Sequence, residues 1–194
     1  MKFIIAFLFQ TLFIGSAFAQ IVVNVKWTEK SKLNANNVIY YNPNKKLAWV
    51  EFKAIPPPPS SVAAVTSSGF GYSADMKSTN GKGEININVY CFFNKLKSWV
   101  RVKSKNAYIL EHEQHHFDAT YIAALGFIQK VRAAKITTEN MDAVLGALYK
   151  EAYAGMNKMQ NDYDGETKNG ILKDKQAEWN IFFTEKLIVI SSNL

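Results

Sequence analysis

All three histidines of the chain fall within Glu111-His112-Glu113-Gln114-His115-His116-Phe117-Asp118, and His112-Glu113-Gln114-His115-His116 carries the H-E-x-x-H pattern. Residues four apart on a helix sit one above the other on the same face. His112 and His116 could therefore present two imidazole nitrogens to one metal ion, with Glu113, one step round, leaning over the open coordination position. Two neutral imidazoles held by the backbone, plus a carboxylate that can take a proton from water, are the working parts of a zinc hydrolase. His115 is the odd member. Three positions after His112, it points to one side and reads as a supporting or surface contact.

A zinc hydrolase needs a third protein ligand, which leaves water in the fourth place. The metzincin arrangement would require a glycine and another histidine soon after His116, but Thr120, Tyr121 and Ile122 stand there. That subclass is excluded, and no further histidine exists. The remaining candidates are carboxylates brought back by a second helix: Glu139 and Glu151 on or near it, Asp164 and Glu166 just after it. Two antiparallel helices of similar length would return that last segment beside His112, so Asp164 or Glu166 is the expected ligand. Asp118 or Glu111 is the expected partner for the second nitrogen of a ligand imidazole.

The elements that must position these groups are legible in the periodicity. Ile21 to Trp27 alternates and predicts a strand; Leu47 to Phe52 predicts another. Pro56 to Pro59 forces an extended stretch that cannot join a sheet interior. Ser60 to Thr66 and Gly69 to Ala74 read as short strands. From Glu84 the alternation is clean (Ile85, Ile87, Val89 against Asn86, Asn88, Tyr90), with Asn80-Gly81 and Lys82-Gly83 predicting a hairpin into it. The period then changes. Ile109, Phe117, Tyr121, Leu125, Ile128 and Val131 predict a helix over 106–134. Met141, Leu145, Leu148, Ala152, Met156 and Met159 predict a second over 138–162, and that stripe reads as core. Tyr163 to Gly170 is acidic and glycine-punctuated and predicts a loop, followed by a helix over 172–188. The fold class is α+β, an N-terminal antiparallel sheet followed by a helical half carrying the His112 helix.

Lys2, the apolar run Phe3 to Ile14 and the small-x-small triplet Ala17-Phe18-Ala19 predict a signal peptide over residues 1–19, cleaved before Gln20. The expected product is exported, periplasmic or extracellular, with about 175 residues in one domain, 20–194. No later segment is apolar and long enough to span a membrane. A single cysteine, Cys91, excludes an intrachain disulfide and reads as a buried small hydrophobe. The net charge of +7 comes from scattered Lys and Arg, which predicts a solvated basic surface rather than a nucleic-acid groove.

The chain resembles a bacterial domain family of unknown function described as predicted secreted zinc-dependent proteases. The resemblance rests on Leu47 to Phe52, Ala64 to Phe70, Ser98-Trp99-Val100, and above all on Leu110 to Asp118 and Tyr163 to Gly170, followed by Gln176 and Trp179. It implies a zincin-like fold, zinc, and hydrolysis of a peptide or protein substrate. The family usually has glycine at the position of His115, and its late motif commonly reads T-x-H-G where this chain has Thr167-Lys168-Asn169-Gly170. If that histidine is the family's third ligand, Asp164 or Glu166 substitutes here, or metal affinity falls. The alternative reading is a non-catalytic exported binding module with a degenerate metal site.

Overall fold

The computed structural model describes residues 21–58, 62–79 and 82–191. The expected signal peptide and its cleavage point, the Asn80-Gly81 turn and Ser60 lie outside the described residues. The architecture is α+β, with a sheet-rich first half and three helices in the second. No helix among the described residues is long and apolar enough to cross a membrane.

Strand β5 (Lys82–Asn94) is the spine of the sheet. Its inward side chains Ile85, Ile87, Val89, Cys91 and Phe93 are fully buried. Burial of each is worth about 1.5–3 kcal/mol, enough to fix which face of the strand turns inward. β4 (Ser68–Thr79) pairs antiparallel along the whole of one edge. The other edge is shared: β1 (Ile21–Trp27) runs parallel to residues 83–89, and β2 (Val38–Tyr40) antiparallel to 92–94. A separate two-stranded sheet joins β3 (Ala64–Val65) to β6 (Trp99–Val100).

Helix α1 (Ala107–Ala133) lies across the sheet and is covered on its other side by α2 (Met141–Thr167) and α3 (Lys173–Ser191). Phe117, Tyr121, Leu125, Ile128 and Val131 enter the main core with the β5 side chains, while Ala119 and Ile122 pack with Tyr163 and Phe183. A helix buried on both flanks has no solvent face along most of its length, so residues 112–122 are all buried.

Several elements differ from the sequence expectation, and the sheet, expected to be antiparallel, is mixed because β1 runs parallel to β5. Leu47 to Phe52 is not a strand; Trp49–Glu51 forms a single 3-10 turn. Among the described residues no strand pairs with it. The segment is irregular and drops Leu47 and Phe52 into the core, with the Leu47 amide donating to Gln114 Oε1 at 2.8 Å. Tyr163 to Thr167 is not a loop but the last turn of α2. Buried Tyr163 anchors that turn against Trp179 and Phe183, and this packing overrides the low helix propensity of Gly165. Of the strand expected over 60–66, the described residues form Ala64–Val65, and the one over 69–74 lengthens to the whole of β4.

The sheet side and α1 are tied by Asp118, which is fully buried. Its Oδ1 accepts from the Tyr41 hydroxyl and from Gln114 Nε2, each at 2.8 Å, and its Oδ2 from His115 Nδ1 at 2.9 Å. Burial alone would raise its pKa. The bonds from His115 and Gln114 and the charge of Lys46 outweigh burial and hold the carboxyl below its ordinary 3.8. A depressed folded-state pKa contributes stability that is present above 3.8 and is lost as pH falls through the lower folded value. Asp118→Asn should therefore destabilise the chelator-treated protein by about 2–3 kcal/mol near neutrality. In thermal melts against pH, the gap from wild type should close as pH falls below 3.8.

Candidate metal centre

Asn106 caps α1, its side chain accepting from the Ile109 amide at 2.9 Å. This start places His112 and His116 one turn apart, ring centroids 5.0 Å from each other and nearly perpendicular. Both are buried, as is Glu113. Tyr163 stacks on the His112 ring at 4.6 Å. Gln176 Oε1 lies 2.9 Å from His112 Nδ1, so that nitrogen donates and, in a neutral ring, Nε2 presents its lone pair to the site.

The third group is Asp164, on the last turn of α2. Its Oδ1 lies 3.1 Å from His112 Nε2 and 3.0 Å from His116 Nε2. One acceptor oxygen facing two ring nitrogens requires a proton or a cation along each contact. The three ligand atoms lie within 4.8 Å of one another and could hold a metal ion. Tetrahedral coordination at about 2.0–2.2 Å has ligand–ligand edges of about 3.3–3.6 Å. The observed contacts need to open by only a few tenths of an ångström, within the reach of small side-chain rotations.

The charges fit the same picture. Burial disfavours the ionised Asp164 carboxyl, but bonds from His112 and His116 and their charge hold it well below the usual carboxylate range. Burial depresses His116, and Asp164 and Glu113 more than reverse it, so the ring sits above its ordinary value. Glu113 is pushed up by burial, only partly offset by His116, Thr66 and His112. Its Oε2 is buried without a hydrogen-bond partner. An unpaired buried carboxylate oxygen is costly, and here it belongs to a residue lining the cleft.

That cleft has a volume of about 490 Å³. β3 and Thr66 form one wall; Asn169, Gly170 and Ile171 form part of the other; His112, Glu113, His116 and Asp164 line it between them. Lys168, Asn169 and Gly170 are consecutive left-handed residues, with φ of 50°, 53° and 80°. The turn brings Gly170 against the His112 ring, where an added Cβ would stand 3.3 Å from Nδ1. Tyr108 clamps it, its hydroxyl donating to the Gly170 carbonyl at 2.7 Å.

Of the two carboxylates expected as third ligand, the structure brings only Asp164 to the histidines. Glu166, two residues on and roughly 200° round the helix, faces α3 and accepts from Trp179 Nε1 at 2.9 Å. Glu151 pairs with Lys130 at 2.6 Å, outside the site. The expected orienting carboxylates are also engaged elsewhere, Asp118 as described and Glu111 with Asn180 at 3.0 Å. Gln176 orients His112 instead; only its place beside Trp179 in the resembling segment had singled it out. His115 is buried, stacked on Phe183 at 4.7 Å and paired with Asp118, so it faces away from the donor set. Asn169 lines the cleft. Comparison of the chain with protein-family models, curated proteins and solved structures found no match.

The geometry separates the two carboxylates experimentally. With zinc as the probe ion, Asp164→Ala should weaken metal binding by about 100-fold or more. Glu166→Ala should leave it within a few-fold of wild type, both read by competition with a chromogenic chelator.

Proposed function

We propose that the chain is an exported zinc-dependent peptidase, with His112, His116 and Asp164 holding the metal and Glu113 acting as general base. The observation that carries this reading is a two-histidine, one-carboxylate donor set sharing a cleft with a buried, partnerless Glu113 oxygen. Magnesium and calcium favour all-oxygen shells, whereas two imidazoles and one carboxylate suit zinc and leave a coordination position open. Zinc, when bound there, would polarise the scissile carbonyl and acidify water.

The protein's own groups supply the rest. Glu113 takes the proton of the attacking water at its carboxylate and returns it to the departing amine nitrogen. Its burial favours that exchange by keeping its proton affinity above that of a solvated glutamate. Asp164 and Gln176 fix the rings, so the base and donor atoms keep their spacing. β3 lines the cleft and pairs only with β6 among the described strands, which leaves its other edge for an extended peptide to join by main-chain hydrogen bonds. The N-terminal apolar run and its cleavage-type residues support export, and the resemblance of Leu110 to Asp118 and Tyr163 to Gly170 points to the same chemistry.

Asn169 in the cleft wall favours a second reading, an exported binding module with a weak metal site. That reading requires Asn169→His to tighten zinc and no peptide to be cut. For the peptidase, wild type should carry stoichiometric zinc and cleave members of a broad peptide library. Glu113→Gln should keep the zinc and lose about 10²–10⁴-fold in rate. Equal cleavage by the variant, or none by wild type, would sink the catalytic reading.

A further inference from the structure

We propose that Glu111, an exposed residue outside the cleft, decides through Asn180 and Gln176 which nitrogen of His112 carries the ring proton, and so whether the nitrogen facing the metal site keeps its lone pair. The inference rests on the metal-site reading above. All three would be positioning residues, acting only through His112.

The argument follows donors and acceptors along one chain of hydrogen bonds. An ionised carboxylate can only accept. Glu111 Oε2 accepts from Asn180 Nδ2 at 3.0 Å, which turns Asn180 Oδ1 the other way. That oxygen accepts from Gln176 Nε2 at 2.7 Å, one turn earlier on α3. Gln176 Oε1 is thereby aimed at His112 Nδ1, 2.9 Å away, and a carbonyl oxygen there demands a proton on Nδ1. In the neutral ring the lone pair is then on Nε2, facing Asp164.

No other member of this chain has a fixed polarity. The two amides could turn over together and keep the bond between them. The Tyr163 hydroxyl, which accepts from Gln176 Nε2 and points its proton at the His112 carbonyl 3.5 Å away, could turn that proton to an oxygen in Gln176's place at the loss of only this long contact. Turned over, Gln176 would present NH₂ to Nδ1, move the ring proton to Nε2 and close that nitrogen to a metal. Only Glu111 excludes this arrangement. Gln176 is 1% exposed, so water cannot readily substitute for either of its partners.

Glu111→Lys replaces an acceptor-only group with a donor-only one at a surface position, where the fold should tolerate it. Zinc affinity is measured by chelator competition in about 1 M salt, where the screening length is about 3 Å and a remote charge change is suppressed. The expected result is binding about 10–100-fold weaker than wild type. Gln176→Glu supplies the second arm: a carboxylate beside Nδ1 accepts its proton whatever the direction of Asn180. In that background Glu111→Lys should cost nothing further. Undiminished zinc affinity for Glu111→Lys in high salt, or an equal loss in both backgrounds, overturns the relay. A wild type that binds no zinc overturns the metal-site reading and this inference with it.

Discussion

Everything in this protein depends on a run of polar side chains carried by a helix with no solvent face. From His112 to Asp118, α1 is pressed between the sheet and the other two helices, and every residue of the run is buried. A buried polar group without a partner costs about 1–3 kcal/mol. The run therefore determines what must come to it. Gln114 engages the Leu47 amide, Asp118 the Tyr41 hydroxyl, His112 the Gln176 amide and His116 the Asp164 carboxylate. Each bond brings in a different stretch of chain, so satisfying one helix assembles the site around it.

Hydrophobic packing divides the same helix into two faces. Phe117, Tyr121, Leu125 and Ile128 meet the sheet, and Tyr121 stacks on Tyr41 at 3.9 Å. Ala119 and Ile122 meet Tyr163 and Phe183. Apolar contact holds α2 and α3 close to α1, and polar contact sets where they stop. Asp164 lies one residue beyond Tyr163, whose ring stacks on His112. The packing that buries Tyr163 thus also delivers its neighbour to the ring nitrogens.

A site carried on helices keeps its spacing better than one carried on loops. His112, Glu113 and His116 share α1, Asp164 is on α2 and Gln176 on α3. The irregular contribution is the left-handed turn at Lys168 to Gly170, which Tyr108 and the hydrogen bonds of the α2 terminus hold. Only glycine meets the two demands on position 170, a positive φ and a close approach to the His112 ring.

Much of this was legible in the chain itself. Period-two alternation marked β1 and β5, period 3.6 marked α1 and α2, and the four-residue spacing of His112 and His116 placed both on one helix face. These are local properties, because side-chain direction follows from backbone geometry over a few residues. The choice between Asp164 and Glu166 was not local. Both lie near one helix end, and only the direction in which α2 meets α1 turns one inward and the other toward Trp179. Leu47 to Phe52 read as a strand because it is a short, mostly apolar run, a property that an irregular segment dipping into a core shares with a strand; pairing, which the sequence does not encode locally, was missing. Tyr163 to Thr167 read as a loop because its propensity is weak, and burial of Tyr163 made it helical. The sequence determined which groups could do chemistry, and tertiary packing decided which of them meet, since contacts between residues some fifty positions apart are set by how the helices lie against one another.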